Sequence, residues 1–134
     1  MPDTCEIGDS FYITDYRDRH RYVIITKPNN DGKVVLVNFT SVAAHKECVV
    51  VFQPKDDLGL FKTPTTVAYK YAQLADISKL TRYRNDGYQH CQPEHTKRII
   101  EGAFQSQFIP IDITIELKKQ YPIEYKKYYI GEDI

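Results

Sequence analysis

Tyr22-Val23-Ile24-Ile25-Thr26, then Pro28-Asn29-Asn30-Asp31-Gly32, then Val34-Val35-Leu36-Val37-Asn38-Phe39-Thr40 reads as two strands and the turn between them. The first arm is β-branched and apolar at consecutive positions rather than alternate ones. That pattern marks a strand buried on both faces, as at the centre of a small closed sheet. The middle segment has turn chemistry, with Gly32 able to take positive φ, so the third segment returns antiparallel to the first. No other part of the chain gives so strong a hairpin signal.

Upstream, Gly8-Asp9 turns into a strand over Ser10 to Thr14, where Phe11 and Ile13 share a face by the period of two. Tyr16-Arg17-Asp18-Arg19-His20 alternates charge without apolar periodicity and reads as an exposed loop. Downstream, Cys48 to Phe52 and Thr65 to Tyr69 are two further short strands, the second following Pro64. Short strands at this spacing predict a small barrel. Asp76 is placed to cap a helical turn over Ile77 to Leu80, and Arg82 to Gln92 is a polar loop with a turn at Asn85-Asp86-Gly87.

Pro93 suits a first helical position. Ile99, Ile100, Ala103 and Phe104 then recur at helical spacing, predicting a helix of about 12 residues that packs one face on the sheet and ends by Pro110. Asp112 is read as the cap of a second helix carrying Ile113, Leu117 and Tyr121, stopped by Pro122. Residues 123–134, rich in tyrosine and lysine, fit either a docked helix or a partly ordered tail. The expected class is α+β, mainly β: one domain over residues 1–134, with a barrel over 8–80 and a helical part over 93–134.

Composition narrows the function. The 134 residues suffice for one domain with a real core, and 42% apolar with 27% charged residues is ordinary for a globular protein. No run approaches the roughly 18 apolar residues of a membrane span. Met1 to Glu6 carries an acid where a secretory signal carries a basic region, so export is not expected. Cys5, Cys48 and Cys91 are odd in number and form no CxxC pair, which points to free thiols in a reducing, cytoplasmic setting. The formal net charge is zero, so a polyanion must be gripped by a local patch.

Three segments carry a resemblance. Gly8-Asp9 precedes the first strand; His20-Arg21-Tyr22-Val23-Ile24-Ile25-Thr26 is an aliphatic strand ending in a small polar residue; and Val34 to Thr40 with Ser41 ends in a hydrophobic residue, then Thr, then Ser. A further likeness runs from Gly59-Leu60 through Thr65-Thr66-Val67 to Leu74-Ala75-Asp76-Ile77-Ser78-Lys79-Leu80. In order and spacing, about residues 8 to 105 resemble the MazF/PemK family of toxin–antitoxin endoribonucleases. That family shares a curled SH3-like barrel with a helix packed against it. Where it places an arginine before proline, this chain has His20 followed by Arg21. The resemblance implies metal-independent cleavage of single-stranded RNA by a cytoplasmic homodimer that a partner antitoxin neutralises, with no cofactor, no metal and no membrane.

The reaction needs a base for the 2′-hydroxyl, donors for the phosphorane oxygens and a proton for the departing 5′-oxygen. An imidazole ordinarily titrates near neutrality, which suits His20 to proton transfer. Arg21 or Arg19 holds the phosphate through charge-assisted hydrogen bonds, and Thr40, with Ser41 beside it, adds a hydroxyl donor. If that loop is extended, Arg17, Arg19 and Arg21 lie on one side and, with Tyr12, Tyr16 and Tyr22, form a basic, aromatic surface for a single strand. The catalytic expectation therefore falls on His20, Arg21 and Thr40, and the substrate-binding one on Arg17, Arg19, Ser41 and Tyr16.

Each group also has a plainer reading. A run of arginines is usually a solvated loop, a strand-end threonine usually bonds nearby backbone, and the 11 tyrosines wall a small core. The alternative function is a non-catalytic SH3-like module that binds protein or nucleic acid. A third reading gathers His90, Cys91 and His95 around a metal, although the spacing matches no strong signature. For Cys48, a nucleophile paired with His45 or His20 is weighed against an inert thiol, which is the better expectation.

Overall fold

The structure, a computed structural model, describes residues 5–14, 19–54, 62–83 and 85–130. β1 (Asp9–Thr14), β2 (Arg19–Ile24) and β3 (Lys33–Ser41) run antiparallel in succession. Gly32 sits at φ +73° in the turn between the last two, the backbone state that its missing Cβ allows. Along its other edge β3 pairs first with β6 (Gln73–Asp76) through Lys33 to Leu36, then with β5 (Thr65–Val67) through Phe39 to Ser41. β4 (Val51–Phe52) flanks β5, and β7 (Gln89–His90) flanks β1. One long strand thus serves two partners along one edge, and the twisted antiparallel sheet curls in the manner of a small SH3-like barrel. The fold is α+β, as expected.

The hairpin is buried on both faces because different material covers each. Val23, Val35, Val37 and Phe39 point into a core closed by Ile99, Ala103 and Phe104 of the α2 region (Pro93–Ala103) and by Ile113 and Leu117 of α3 (Ile111–Gln120). Ile24, Val34 and Leu36 face the other way, against Phe11 and against Leu80 of α1 (Ile77–Leu80). Burying a branched side chain of this kind contributes about 1.5 to 3 kcal/mol, so these two layers dominate the stability of the sheet.

Several local expectations are corrected. Arg19 and His20 belong to β2 rather than to a loop, because they pair with Thr14 and Ile13 across the ladder. The fourth and fifth strands are shorter than read, and β6 and β7 have no apolar periodicity in sequence; cross-strand pairing alone makes them strands. Asp76 occupies the N-cap position of α1, but its side chain makes no cap bond and lies 3.5 Å from the Lys79 ammonium. Pro110, not Asp112, is the N-cap of α3, and Asp112 sits in the first turn. α2 spans 11 residues with Pro93 at its start, as expected. As far as Ile130 the undecided C-terminal stretch is a docked helix, residues 131–134 lying outside the described residues: α4 (Pro122–Tyr125) runs on through a π-helical turn over Lys126–Ile130, where Tyr128 stacks on Phe104 and donates to Glu101 at 2.9 Å. No helix among the described residues is long and apolar enough to cross a membrane.

α3 is locked to the hairpin by polar groups. The Gln120 amide accepts from the Lys27 N–H and donates to the Lys27 carbonyl, both at 2.9 Å, as an added strand would. Glu116 accepts from Asn29 Nδ2 at 3.0 Å and from Gln120 Nε2 at 2.9 Å. Burial alone would raise the Glu116 carboxyl, but these hydrogen bonds and the Lys119 charge outweigh it and hold it below its ordinary 4.5. A carboxyl depressed in the folded state contributes stability above its unfolded pKa and loses it as pH falls through the folded value. Between about pH 7 and about pH 3, the urea midpoint of the wild-type chain should therefore fall further than that of Glu116→Gln. Parallel midpoints for the two proteins would show that this carboxylate contributes nothing.

Candidate functional site

Side chains alternate across a strand, so the face of β2 that buries Ile24 also carries Tyr22 and His20. The matching face of β3 carries Leu36, Asn38 and Thr40. Tyr22 stands opposite Asn38, and continuing that register two residues brings His20 opposite Thr40. At the Ile24 and Leu36 end this face is packed shut. At the other end it opens into a cleft of about 720 Å³, lined by His20, Asn38, Thr40, His45 and Lys46 and walled by Tyr69, Tyr71 and Phe108. The expected convergence of His20 and Thr40 at one rim is therefore present.

In the cleft, which Lys70 also lines, Lys46 brings a cation against Thr40. Its ammonium donates to Thr40 Oγ1 at 2.9 Å and to the Ser41 carbonyl at 3.1 Å, which leaves one N–H without a partner among the described residues. Because the Thr40 oxygen accepts from Lys46, its own O–H remains available as a donor. The loop that carries His45 and Lys46 is pinned by the next residue: the Glu47 carboxylate accepts from the Ser106 hydroxyl and from the Gln107 N–H at 2.8 Å. Cys48 turns back on the same loop, its thiol directed at the Lys46 carbonyl at 3.5 Å. The back wall is Tyr69, fully buried, whose hydroxyl donates to the Ile99 carbonyl at 2.7 Å. Burial pushes this phenol far above its usual range, with Glu47 adding to the shift and Arg98 opposing it, so it stays a neutral donor.

Arg21 and Arg19 do not join this group, and the expectation that either grips a phosphate beside His20 is corrected. Odd-numbered positions of β2 face away from the cleft. Arg21 is 6% exposed, donates to Ser10 Oγ at 2.9 Å and to the Gly87 carbonyl at 2.8 Å, and lies 4.3 Å from the Tyr12 ring centre. It is a structural clamp between β1, β2 and the loop before β7. Arg19 also lies over the Tyr12 ring, 3.8 Å from its centre, and pairs with Asp86 at 2.6 Å. Ser41 is exposed at the strand end and offers the site its carbonyl rather than its hydroxyl. Tyr16 and Arg17 lie outside the described residues.

The third reading required His90, Cys91 and His95 to converge, and they do not. His90 Nδ1 lies 2.9 Å from Asp9 across the β1–β7 pair, Cys91 is buried, and His95 packs edge-on against Phe52 with ring centres 5.4 Å apart. Among the described residues no three His, Cys, Asp or Glu side chains gather as metal ligands would.

Sequence reading missed Lys46, His45 and Asn38 as cleft residues. The only signal available was a polar pair, His45-Lys46, in the connection after Thr40, and nothing local says that this connection folds back over the strand it has just left. Compared with family models and with curated proteins, the chain matches none.

Proposed function

We propose that this chain is a metal-independent endoribonuclease that cuts single-stranded RNA in the cleft of His20. The observation that carries the reading is one cleft lined by His20, Thr40 and Lys46, with the ammonium held on the threonine at 2.9 Å. In the proposed reaction His20 takes the proton of a 2′-hydroxyl and that oxygen attacks the adjacent phosphorus. The bond from phosphorus to the 5′-oxygen breaks, leaving a 2′,3′-cyclic phosphate and a 5′-hydroxyl whose proton comes from His45. The free N–H of Lys46 and the O–H of Thr40 meet the charge that builds on the non-bridging oxygens. Lys46 thus replaces the guanidinium that the resemblance assigns to Arg21 or Arg19. The same resemblance extends the proposal to a toxin of the cytoplasm, working as a homodimer and silenced by an antitoxin whose acidic or amphipathic segment covers the cleft.

Incubating the purified chain with single-stranded RNA in EDTA tests the reading. The expected result is fragments ending in cyclic phosphate, formed about 10²-fold more slowly by Thr40→Val, since one donor to a developing oxyanion is worth at least that much. RNA left intact, or cut equally fast by the variant, would sink the reading. The second reading, a non-catalytic SH3-like module, draws on the two guanidiniums turned away from the cleft and on the zero net charge. Binding of RNA or protein without cleavage would select it.

A further inference from the structure

Asn38 sits on the floor of the same cleft, 5% exposed, and its Oδ1 has no hydrogen-bond partner among the described residues. Its Nδ2 makes a single long contact, 3.4 Å to the Phe39 carbonyl. A buried amide with an idle acceptor is disfavoured in a folded protein, and an apolar residue of similar size would serve the sheet better. The neighbouring strand positions show what such a residue looks like, since Leu36 on the same face is buried without polar atoms. The amide therefore has a use that packing does not supply, and its position facing the cleft indicates where that use lies.

Two further features of the cleft bear on the occupant. Tyr71 and Phe108 on its walls are 62% and 61% exposed, large rings left in solvent beside a polar floor. Lys70 lies 4.9 Å from the Tyr71 ring centre, adding a positive charge at that wall. Flat exposed rings with a cation beside them suit an unstacked nucleobase on a charged backbone. A flat ligand held by such walls presents its edge to the floor, where Asn38 waits.

We infer that Asn38 reads a nucleobase by its edge, accepting from an exocyclic amino group while its own N–H donates to the adjacent ring nitrogen, as adenine and cytosine present them. The choice of base follows from the idle acceptor. An exocyclic amino group projects beyond the ring and brings its hydrogen to a recessed oxygen. Uracil has no amino group, and its ring N–H, which an amide can also pair, is set back between two carbonyls that project beyond it and hold it off a recessed oxygen. The inference rests on the ribonuclease reading for its ligand class and adds to it a preference at one subsite, with Tyr71 and Phe108 as stacking walls.

The test separates the two claims. Binding of short 2′-O-methyl oligonucleotides, which cannot be cut, is measured for oligo(A), oligo(C) and oligo(U), with cleavage of the corresponding RNAs followed in parallel. Wild type is expected to favour oligo(A) and oligo(C) over oligo(U) by about 10- to 100-fold, the discrimination of one two-point amide contact. Asn38→Leu should erase that preference while its melting temperature stays level or rises, because an unsatisfied buried amide is removed. RNA cleavage with a preference that Asn38→Leu leaves unchanged overturns the inference and spares the ribonuclease reading. Asn38-dependent preference without cleavage of any RNA overturns the ribonuclease reading and leaves the base contact standing. No binding to any oligonucleotide removes both.

Discussion

Replacing His20 by alanine is expected to slow the proposed RNA cleavage by about 10² to 10⁴, the usual worth of a positioned general base. The position is half-exposed at the open end of its strand face, so truncation leaves no buried cavity and the melting temperature should hold. The change should appear in kcat with little effect on KM, because proton transfer belongs to the transition state and not to the bound substrate. Lys46→Ala should behave differently. Its ammonium bridges Thr40 and the Ser41 carbonyl and, in the proposed reaction, would face the polyanion before and during the step, so both constants should suffer. Single-turnover and steady-state rates on one RNA, with thermal melts of each protein, check the pair. A His20→Ala enzyme as fast as wild type would remove the imidazole from the mechanism and with it the present account of the cleft.

The largest expected loss of stability comes from the smallest substitution. Gly102 lies in α2 where the helix crosses Tyr69, and a Cβ built there would press into the Tyr69 hydroxyl and stand 3.0 Å from Val50 Cγ1. In an open helix Gly→Ala gains about 1 kcal/mol. Here overpacking costs about 1 to 3 kcal/mol. Displacing the hydroxyl from the Ile99 carbonyl leaves buried polar groups unmatched, at about 1 to 3 kcal/mol more. The balance is a net loss of about 1 to 5 kcal/mol, or a fall in Tm on the order of 10 °C. Tyr69 is fully exposed to this pressure because it has no solvent side to move into, being 0% accessible. Since the same ring is the back wall of the cleft, Gly102→Ala should also weaken RNA binding in whatever fraction remains folded. A variant that melts at or above the wild-type temperature would mean that the helix and the ring part easily, against the close contact described.

The hairpin was legible because its information is local. Two runs of branched apolar residues around Pro28 to Gly32 leave few alternatives, and Gly32 in its positive-φ turn follows directly. Pro93 at a helix start and the apolar stripe from Ile99 to Phe104 were equally readable. β6 and β7 were not, since Gln73 to Asp76 and Gln89 to His90 become strands by pairing with β3 and β1 and not by any pattern of their own. Asp112 misled because a capping residue type was present at a plausible place while the chain used Pro110 instead.

For the site, sequence alone determined that His20 and Thr40 belong near one another. A tight turn sets the register of two adjacent strands, and register together with the period of two decides which side chains share a face. The same rule turns Arg21 away from His20, but a run of charged residues conceals this until the run is known to be strand. Lys46, His45 and the wall residues Tyr71 and Phe108 reach the cleft only through tertiary structure. The places of His45, Lys46 and Phe108 depend on a loop anchored by Glu47 to Ser106 and Gln107, almost 60 residues away along the chain and in direct contact in space. Local sequence specifies strands and their faces because those are set by neighbouring residues; it is silent on contacts whose formation waits for the whole chain to close.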